Sequence, residues 1–143
     1  MKLKLLLPIL FVVYSCSQDT SIDRNDLIEK AGAPLLNGLG SHSFTISSKV
    51  EGVQDYFNQG LIMAFAFNHA ESIRSFKAAQ KLDPNCAICF WGEALALGPN
   101  INVTSDGKAI MSPQDRLDAF ERTPKAIALI EVASPKEKDF SLT

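Results

Sequence analysis

The chain has 143 residues, of which 46% are hydrophobic and 21% charged, with 14 Lys and Arg against 16 Asp and Glu. A formal charge of −2 argues against a nucleic-acid partner, because binding to a phosphate backbone needs clustered positive charge. The length allows one domain with its own core. Alternating strand patterns are scarce, and the many Ala and Leu residues predict packed helices.

The first residues have the order of a secretory signal peptide. Lys2 and Lys4 precede an apolar run that is too short to span a bilayer as a helix, and small residues lead to Cys16. The run Val13-Tyr14-Ser15-Cys16 resembles the lipobox of bacterial lipoproteins, although Tyr14 replaces the usual small residue.

This resemblance implies that residues 1–15 are removed, that Cys16 is lipidated, and that residues 16–26 form a polar tether. Ser17 after the cysteine is similar to the pattern that sends lipoproteins to the outer membrane. The alternative is a plain signal peptide in which Cys16 has no role.

An internal repeat of 34 residues organises the predicted helical domain, residues 27–143. The period aligns three pairs of positions: Tyr56-Phe57 with Phe90-Trp91, Gly60-Leu61 with Ala94-Leu95, and Met63 with Leu97. Such a period is typical of the tetratricopeptide repeat. The first copy spans residues 53–86, and the positions of the pattern fall on Tyr56, Gly60, Met63, Ser72, Phe76, Ala79 and Pro84. Leucine is usual at Gln59 and alanine at Ser72, so both positions depart from the pattern.

Capping residues predict where the helices of this first copy begin and end. Ser48 with Glu51, and Asn68 with Glu71, have the spacing of capping boxes, which places one helix start near Lys49 and another after Asn68. Asp83-Pro84 predicts the end of the second helix, since a residue before proline avoids helical angles.

Apolar and small residues then define the faces that turn inward. In the first helix they recur at three- and four-residue steps, and Gly60 and Ala64 allow a partner helix to approach closely. The first helix has Val50, Val53, Phe57, Gly60, Leu61 and Ala64 on this face, and the second has Ile73, Phe76 and Ala79.

A second, distorted copy is predicted over residues 87–132, interrupted by a loop over residues 98–111. Ser112-Pro113 and Ser134-Pro135 each place a serine cap before a proline at the first helical position. They predict a helix from about Pro113 to Val132, with a bend near Pro124, and another from Pro135. That last helix has little chain left, which favours a C-terminally truncated array.

Two stretches carry a resemblance to a known group of proteins. They are residues 67–76, Phe-Asn-His-Ala-Glu-Ser-Ile-Arg-Ser-Phe, and residues 82–102, Leu-Asp-Pro-Asn-Cys-Ala-Ile-Cys-Phe-Trp-Gly-Glu-Ala and onward. Together with Leu39-Gly40-Ser41-His42, they resemble exported bacterial tetratricopeptide proteins of undefined activity. The resemblance implies a longer helical-repeat protein and brings no catalytic residue.

Cys86 and Cys89 lie at the predicted start of a helix that Asn85 is expected to cap. A helix N-terminus lowers the pKa of a cysteine thiol, and the spacing allows a local disulfide, packed free thiols, or two ligands to a soft metal. The motif is Cys-Ala-Ile-Cys with no histidine after it, so covalent haem attachment is not supported. In an oxidising periplasm a disulfide is the default.

His42 and His69 are the only histidines, and with the two cysteines they form a candidate Cys2His2 site for zinc or copper. The alternative is that His69 fastens a helix junction and that His42 is solvated. Phe-Trp and Tyr-Phe pairs at equivalent repeat positions are interpreted as packing residues.

The sequence therefore predicts an all-α, antiparallel helix-hairpin stack, an incomplete right-handed superhelix of tetratricopeptide type. The predicted function is a protein-interaction scaffold, lipid-anchored in the bacterial envelope, with a protein or peptide partner.

The candidate residues of its concave groove flank the core stripe and are Asn58, Gln59, Met63 and Glu93. The alternative is a periplasmic metal-handling or redox protein. No nucleophile elbow, zincin helix or phosphate loop supports an enzyme.

Overall fold

The computed structural model describes residues 23–98 and 112–141, and every regular element in these ranges is a helix. The helices are α1 (Arg24–Ala31), α2 (Val53–Phe65), α3 (His69–Leu82), α4 (Ala87–Leu97), α5 (Pro113–Ala128), a 3-10 helix (Ile130–Val132) and α6 (Pro135–Ser141). The all-α prediction is confirmed. The predicted signal peptide, Cys16 and the predicted loop beyond Gly98 lie outside the described residues.

Consecutive helices pack against each other in pairs. The most extensive contacts join α2 to α3, α3 to α4, and α4 to α5, while α2 also reaches α4 and α1 lies against α3. Since α1 begins at Arg24, the last three residues of the predicted tether, 24–26, belong to this helix. No helix of the described ranges is both long and apolar enough to cross a bilayer.

Phe76 of α3 is the centre of the core, and its ring explains why glycine occupies two positions of the neighbouring helices. Its ring is fully buried between α2 and α4. A Cβ atom built on Gly60 would lie 2.8 Å from the ring, and one built on Gly92 would lie 2.4 Å from it. Glycine at both positions therefore lets two helices approach the same ring, as the sequence predicts for Gly60.

The predicted capping box at Ser48 and Glu51 is wrong, and α2 begins four residues later, at Val53. Gly52 has a φ of 81°, and this left-handed residue interrupts any helix that starts at Lys49. The Ser48 hydroxyl accepts a hydrogen bond from the Val50 amide and donates one to Asp83. Val50 precedes the helix and is exposed, so it is not part of the inward stripe.

The other boundaries follow the caps closely. Asn68 caps α3 by accepting a bond from the Glu71 amide, and α3 ends at Leu82, before Asp83-Pro84. The reciprocal half of that box is absent, because the Asn68 amide donates to the Met63 carbonyl and the Glu71 carboxylate pairs with Arg74.

Both serine–proline starts are confirmed. Ser112 and Asp115 form a complete capping box at α5, and Ser134 and Glu137 bond each other in the same reciprocal way at α6. Pro124 lies inside α5, which ends at Ala128, and the remaining predicted residues continue as the 3-10 helix.

Candidate functional site

One side of α2 holds an extended part of the chain through side-chain amides. We call residues 33–47 the N-terminal segment, and Gln54, Asn58 and Gln59 the amide row. Gln54 and Asn58 are four residues apart and share one side of the helix, and Gln59 follows Asn58. All three side chains bond to the segment.

The amide row binds mostly backbone atoms of the segment. Gln54 accepts a bond of 3.0 Å from the Ile46 amide and donates one of 2.9 Å to the Phe44 carbonyl. Asn58 accepts from the Phe44 amide at 3.1 Å. Gln59 accepts from the Leu36 amide at 2.7 Å and donates to the Pro34 carbonyl at 3.0 Å. The segment therefore runs antiparallel to α2.

Tyr56 adds a buried bond at the start of the segment. Its hydroxyl donates to the Ala33 carbonyl at 2.5 Å. Burial raises the pKa of this phenol above its ordinary value, and the charge of Arg24 offsets part of that rise. The hydroxyl therefore stays protonated as a donor at neutral pH.

An apolar pocket of about 190 Å³ opens between α2, α4 and the segment. Its lining consists of His42 and Phe44 from the segment, Phe57, Leu61 and Phe65 from α2, and Ile88, Trp91 and Leu95 from α4. An apolar protein cavity of about 150 Å³ is known to accept a benzene molecule. The pocket therefore has room for the side chain of one large apolar residue.

The edge of this pocket exposes apolar surface. Phe65 is 69% exposed and Leu95 is 45% exposed, although both line the pocket. Two residues after Phe65 in the chain, Phe67 is 56% exposed and has a φ of 59°, a left-handed conformation that is costly for a bulky residue. Folding alone does not account for apolar side chains exposed together in this way.

A second, more polar recess of about 420 Å³ is lined by residues of the segment, α1 and α2. Its lining includes Arg24, Asp55, Asn58 and the residues 35–43. The Arg24 guanidinium donates to the Leu35 carbonyl and to the Asn37 side chain, so its charge already serves to hold the segment.

The structure joins Cys86 and Cys89 by a disulfide bond at the start of α4. Both residues are buried, and Cys86 itself is the N-cap, where Asn85 was expected. Asp83 accepts a bond from the Asn85 amide, and this local turn delays the helix start by one residue. The carbonyl of Cys89 accepts a bond from Gln80 of α3.

The four candidate metal ligands do not come together. Within residues 23–98 and 112–141, no group of three or more His, Cys, Asp or Glu side chains has the arrangement of a metal site. His42 lines the apolar pocket, whereas His69 lies in the first turn of α3 against the Phe67 ring. The structure therefore contradicts the Cys2His2 prediction, because both thiols are in a disulfide and the histidines are not grouped with them.

The four predicted groove residues divide into two kinds. Glu93 is buried and ion-paired within the chain, which contradicts its prediction as a groove residue. Gln59 is also buried, but it lines the polar recess and holds the segment. Asn58 is half-buried and holds the segment, and Met63 is half-buried and not among the residues that line the apolar pocket.

Glu93 joins three helices. Its carboxylate accepts a bond of 2.7 Å from Gln80 and pairs with Arg122 of α5 at 2.9 Å and with Lys77 of α3 at 3.5 Å. A fully buried carboxylate needs such partners, because an unpaired buried charge is strongly destabilising. The residue therefore stabilises the stack and is not available to a partner.

Sequence reasoning missed the pocket although the repeat contained a signal for it. Phe57 and Trp91 are equivalent across the 34-residue period, and so are Leu61 and Leu95. All four line the pocket, because α2 and α4 are the first helices of consecutive hairpins and turn the same face to one side. No sequence pattern predicted that His42 and Phe44 also line the pocket, because their positions depend on the path of the N-terminal segment.

Comparison with known proteins does not extend this description. No family profile matches the chain, and neither a curated protein nor a solved structure is significantly similar to it.

Proposed function

We propose that this chain is a tetratricopeptide-type protein-interaction module of the bacterial envelope, held at the periplasmic face of the outer membrane by a lipid on Cys16. Its partner is a protein or peptide that inserts a large apolar side chain between α2 and α4. The proposal assigns no catalytic residue.

The apolar pocket is the observation that carries this proposal. It lies between the first helices of two consecutive hairpins, which is the concave side in a tetratricopeptide superhelix. Among the described residues, no Lys, Arg, Asp or Glu contributes to its lining, so an uncharged apolar side chain fits it best. The exposed Phe65 and Leu95 at its edge would be covered by the rest of such a partner.

A selection with displayed random peptides tests the proposal. We expect the exported chain to enrich peptides that share one large aromatic or aliphatic residue. Leu95→Asp places a charge at the edge of the pocket and should weaken the enriched peptides at least tenfold. Leu117→Asp, at a somewhat more exposed apolar position of α5, is the matched control and should leave their affinity unchanged. Equal affinity for both variants would overturn the proposal.

The lipid anchor has its own test. Labelling of cells with a fatty-acid analogue should mark the wild-type chain and leave a Cys16→Ser chain unmarked. The Cys16→Ser chain should also move from the membrane fraction to the soluble periplasmic fraction. A labelled serine variant would contradict the assignment of Cys16.

A further inference from the structure

The amide row binds the N-terminal segment in a way that does not depend on most of its side chains. Five of its hydrogen-bond partners are backbone groups, contributed by Pro34, Leu36, Phe44 and Ile46. The bond between Asn58 and Ser43 also involves a side chain of the segment. Such an arrangement would hold the backbone of any extended peptide with the same spacing.

The side chains of Phe44 and Ile46 make the specific contacts of the segment, so they would determine which peptide sequences fit. Phe44 packs against Phe57, with ring centroids 6.0 Å apart, and the Lys136 Nζ lies 4.2 Å from the centroid of the Phe44 ring. Ile46 is buried in the core. Because Phe44 and Ile46 are two residues apart in extended chain, both side chains point toward the helices while the residue between them is exposed.

The segment is held at its ends and loosely in between. Residues 37–42 contribute no backbone bond to α2 among the contacts described, and Gly38 and Gly40 both have a positive φ with open space around them. Beyond Ile46, the Ser47 amide donates to the buried Glu137 carboxylate of α6 at 3.0 Å. The segment is therefore attached to α2 at two places, residues 34–36 and 43–46, and residues 37–42 connect them.

We propose that the amide row is a backbone-binding site for an extended peptide, and that residues 43–46 occupy it as an internal ligand. The external ligand is an uncharged extended peptide with an aromatic residue at the position of Phe44 and an aliphatic one two residues later. This inference rests on the proposed function and adds the mode of binding, since Phe44 is also a wall of the apolar pocket. Displacement of Phe44 by the aromatic residue of a partner would join the amide row and the pocket into one site.

Complementation with a synthetic peptide tests this inference. The host is the exported chain with Phe44→Ala, and the probe is a peptide of residues 41–48, Ser-His-Ser-Phe-Thr-Ile-Ser-Ser. We expect the probe to raise the melting temperature of the host and to change the fluorescence of Trp91, the single tryptophan, in a saturable manner. A peptide with alanine in place of phenylalanine should bind at least tenfold more weakly.

The control is the same host with Gln54→Ala and Asn58→Ala added, which should lose at least tenfold in affinity for the probe. No saturable change with the probe, or equal affinity for host and control, would overturn the inference. The proposed function would survive that result if displayed peptides still distinguish Leu95→Asp from Leu117→Asp.

Hydrogen exchange keeps the inference testable if the Phe44→Ala host does not fold. In the wild-type chain, the amides of Leu36, Phe44 and Ile46 should exchange at least tenfold faster than the buried amides of α2, because the segment opens locally. Exchange of both sets at the same rate would mean that the segment leaves α2 only on global unfolding, and would overturn the inference.

Discussion

Gln59 and Ser72 are buried polar residues at positions where the repeat pattern usually has leucine and alanine. Gln59 binds Pro34, Leu36 and Ser75, while the Ser72 hydroxyl donates to the Gly60 carbonyl at 2.7 Å. Each departure from the pattern therefore supplies a bond between α2 and another part of the chain. The sequence identifies the two positions as unusual, but their partners lie 12 to 25 residues away and only the fold reveals them.

Replacement of Gln59 by leucine should destabilise the chain, although leucine fits the repeat pattern. The variant leaves the Leu36 amide and the Pro34 carbonyl without their partner, at a cost of about 1 to 3 kcal/mol. Urea unfolding followed by helix content measures this loss. Gln114→Leu, at an exposed position of α5, is the matched control and should change stability by less than about 0.5 kcal/mol. Equal stability of the two variants would show that the amide row contributes little to folding.

Phe67 is strained at the turn between α2 and α3, and glycine there should relieve the strain. Phe67→Gly removes an exposed ring from a left-handed position and should raise the free energy of unfolding by about 1 kcal/mol. Ala66→Gly, where φ is −81°, has no such strain to relieve and should lower it. If Phe67→Gly is destabilising, the contact of its ring with His69 outweighs the strain.

At the scale of helices, the close approach of α2 and α4 to Phe76 sets the geometry of the stack. The caps at Asn68, Ser112 and Ser134 allowed the sequence to predict three helix starts, because a cap acts within four residues. The start of α2 could not be placed from its apparent box, because Gly52 is left-handed and packs against Leu27 of α1. Leu27 belongs to another helix, so the sequence around Ser48 does not reveal this contact.

Gly92→Ala tests the close approach of α4 to α3. The added methyl group would meet the Phe76 ring, and overpacking of this kind should cost about 1 to 3 kcal/mol despite the better helix propensity of alanine. A double-mutant cycle with Phe76→Leu is the control, because the smaller side chain should reduce the cost of alanine by at least half. An unchanged cost in that background would mean that Phe76 is not the obstacle.

At the scale of the whole molecule, Glu137 ties the C-terminal helix to the N-terminal segment across 90 residues of sequence. Its carboxylate accepts bonds from the Ser47 and Ser134 amides, at 3.0 and 2.7 Å. Burial alone would raise the pKa of this carboxyl, but the hydrogen bonds from Ser134 and Ser47 outweigh it and hold the pKa below its ordinary value.

Folding stability should therefore fall in acid. A carboxyl whose pKa is lower in the folded than in the unfolded chain stabilises the fold above its ordinary pKa of about 4.3. That contribution is lost as the pH falls through the lower, folded value. Urea unfolding across this range should show a smaller acid loss for Glu137→Gln than for the wild-type chain. Glu131→Gln, at a highly exposed position, is the control and should keep the wild-type slope.

The candidate site was only partly predictable because it combines repeat and non-repeat elements. Phe57, Trp91, Leu61 and Leu95 follow from the 34-residue period, which brings equivalent residues of α2 and α4 to one side. The amide row gave no such signal, since its partners are backbone groups of a segment without regular structure. Glu93 was predicted to line the groove because it flanks the core stripe, and this prediction is wrong because its buried carboxylate pairs with helices on both sides of α4.

The central claim is that a partner contacts the mouth of the apolar pocket. Its competitor is the other exposed apolar surface of the described residues, formed on α5 by Leu117, Phe120 and Ile127. Both surfaces can be compared in living cells by placing a photoreactive phenylalanine analogue at Phe65 or, as the control, at Phe120. These two phenylalanines are similarly exposed, at 69% and 76%.

Site-specific photocrosslinking in the bacterial envelope is therefore the most direct measurement. The proposed function predicts a discrete crosslinked product from position 65 that disappears when Leu95→Asp is added, and no such product from position 120. A product from position 120 alone, or one from position 65 that Leu95→Asp leaves unchanged, would contradict the assignment of the pocket as the partner-binding site.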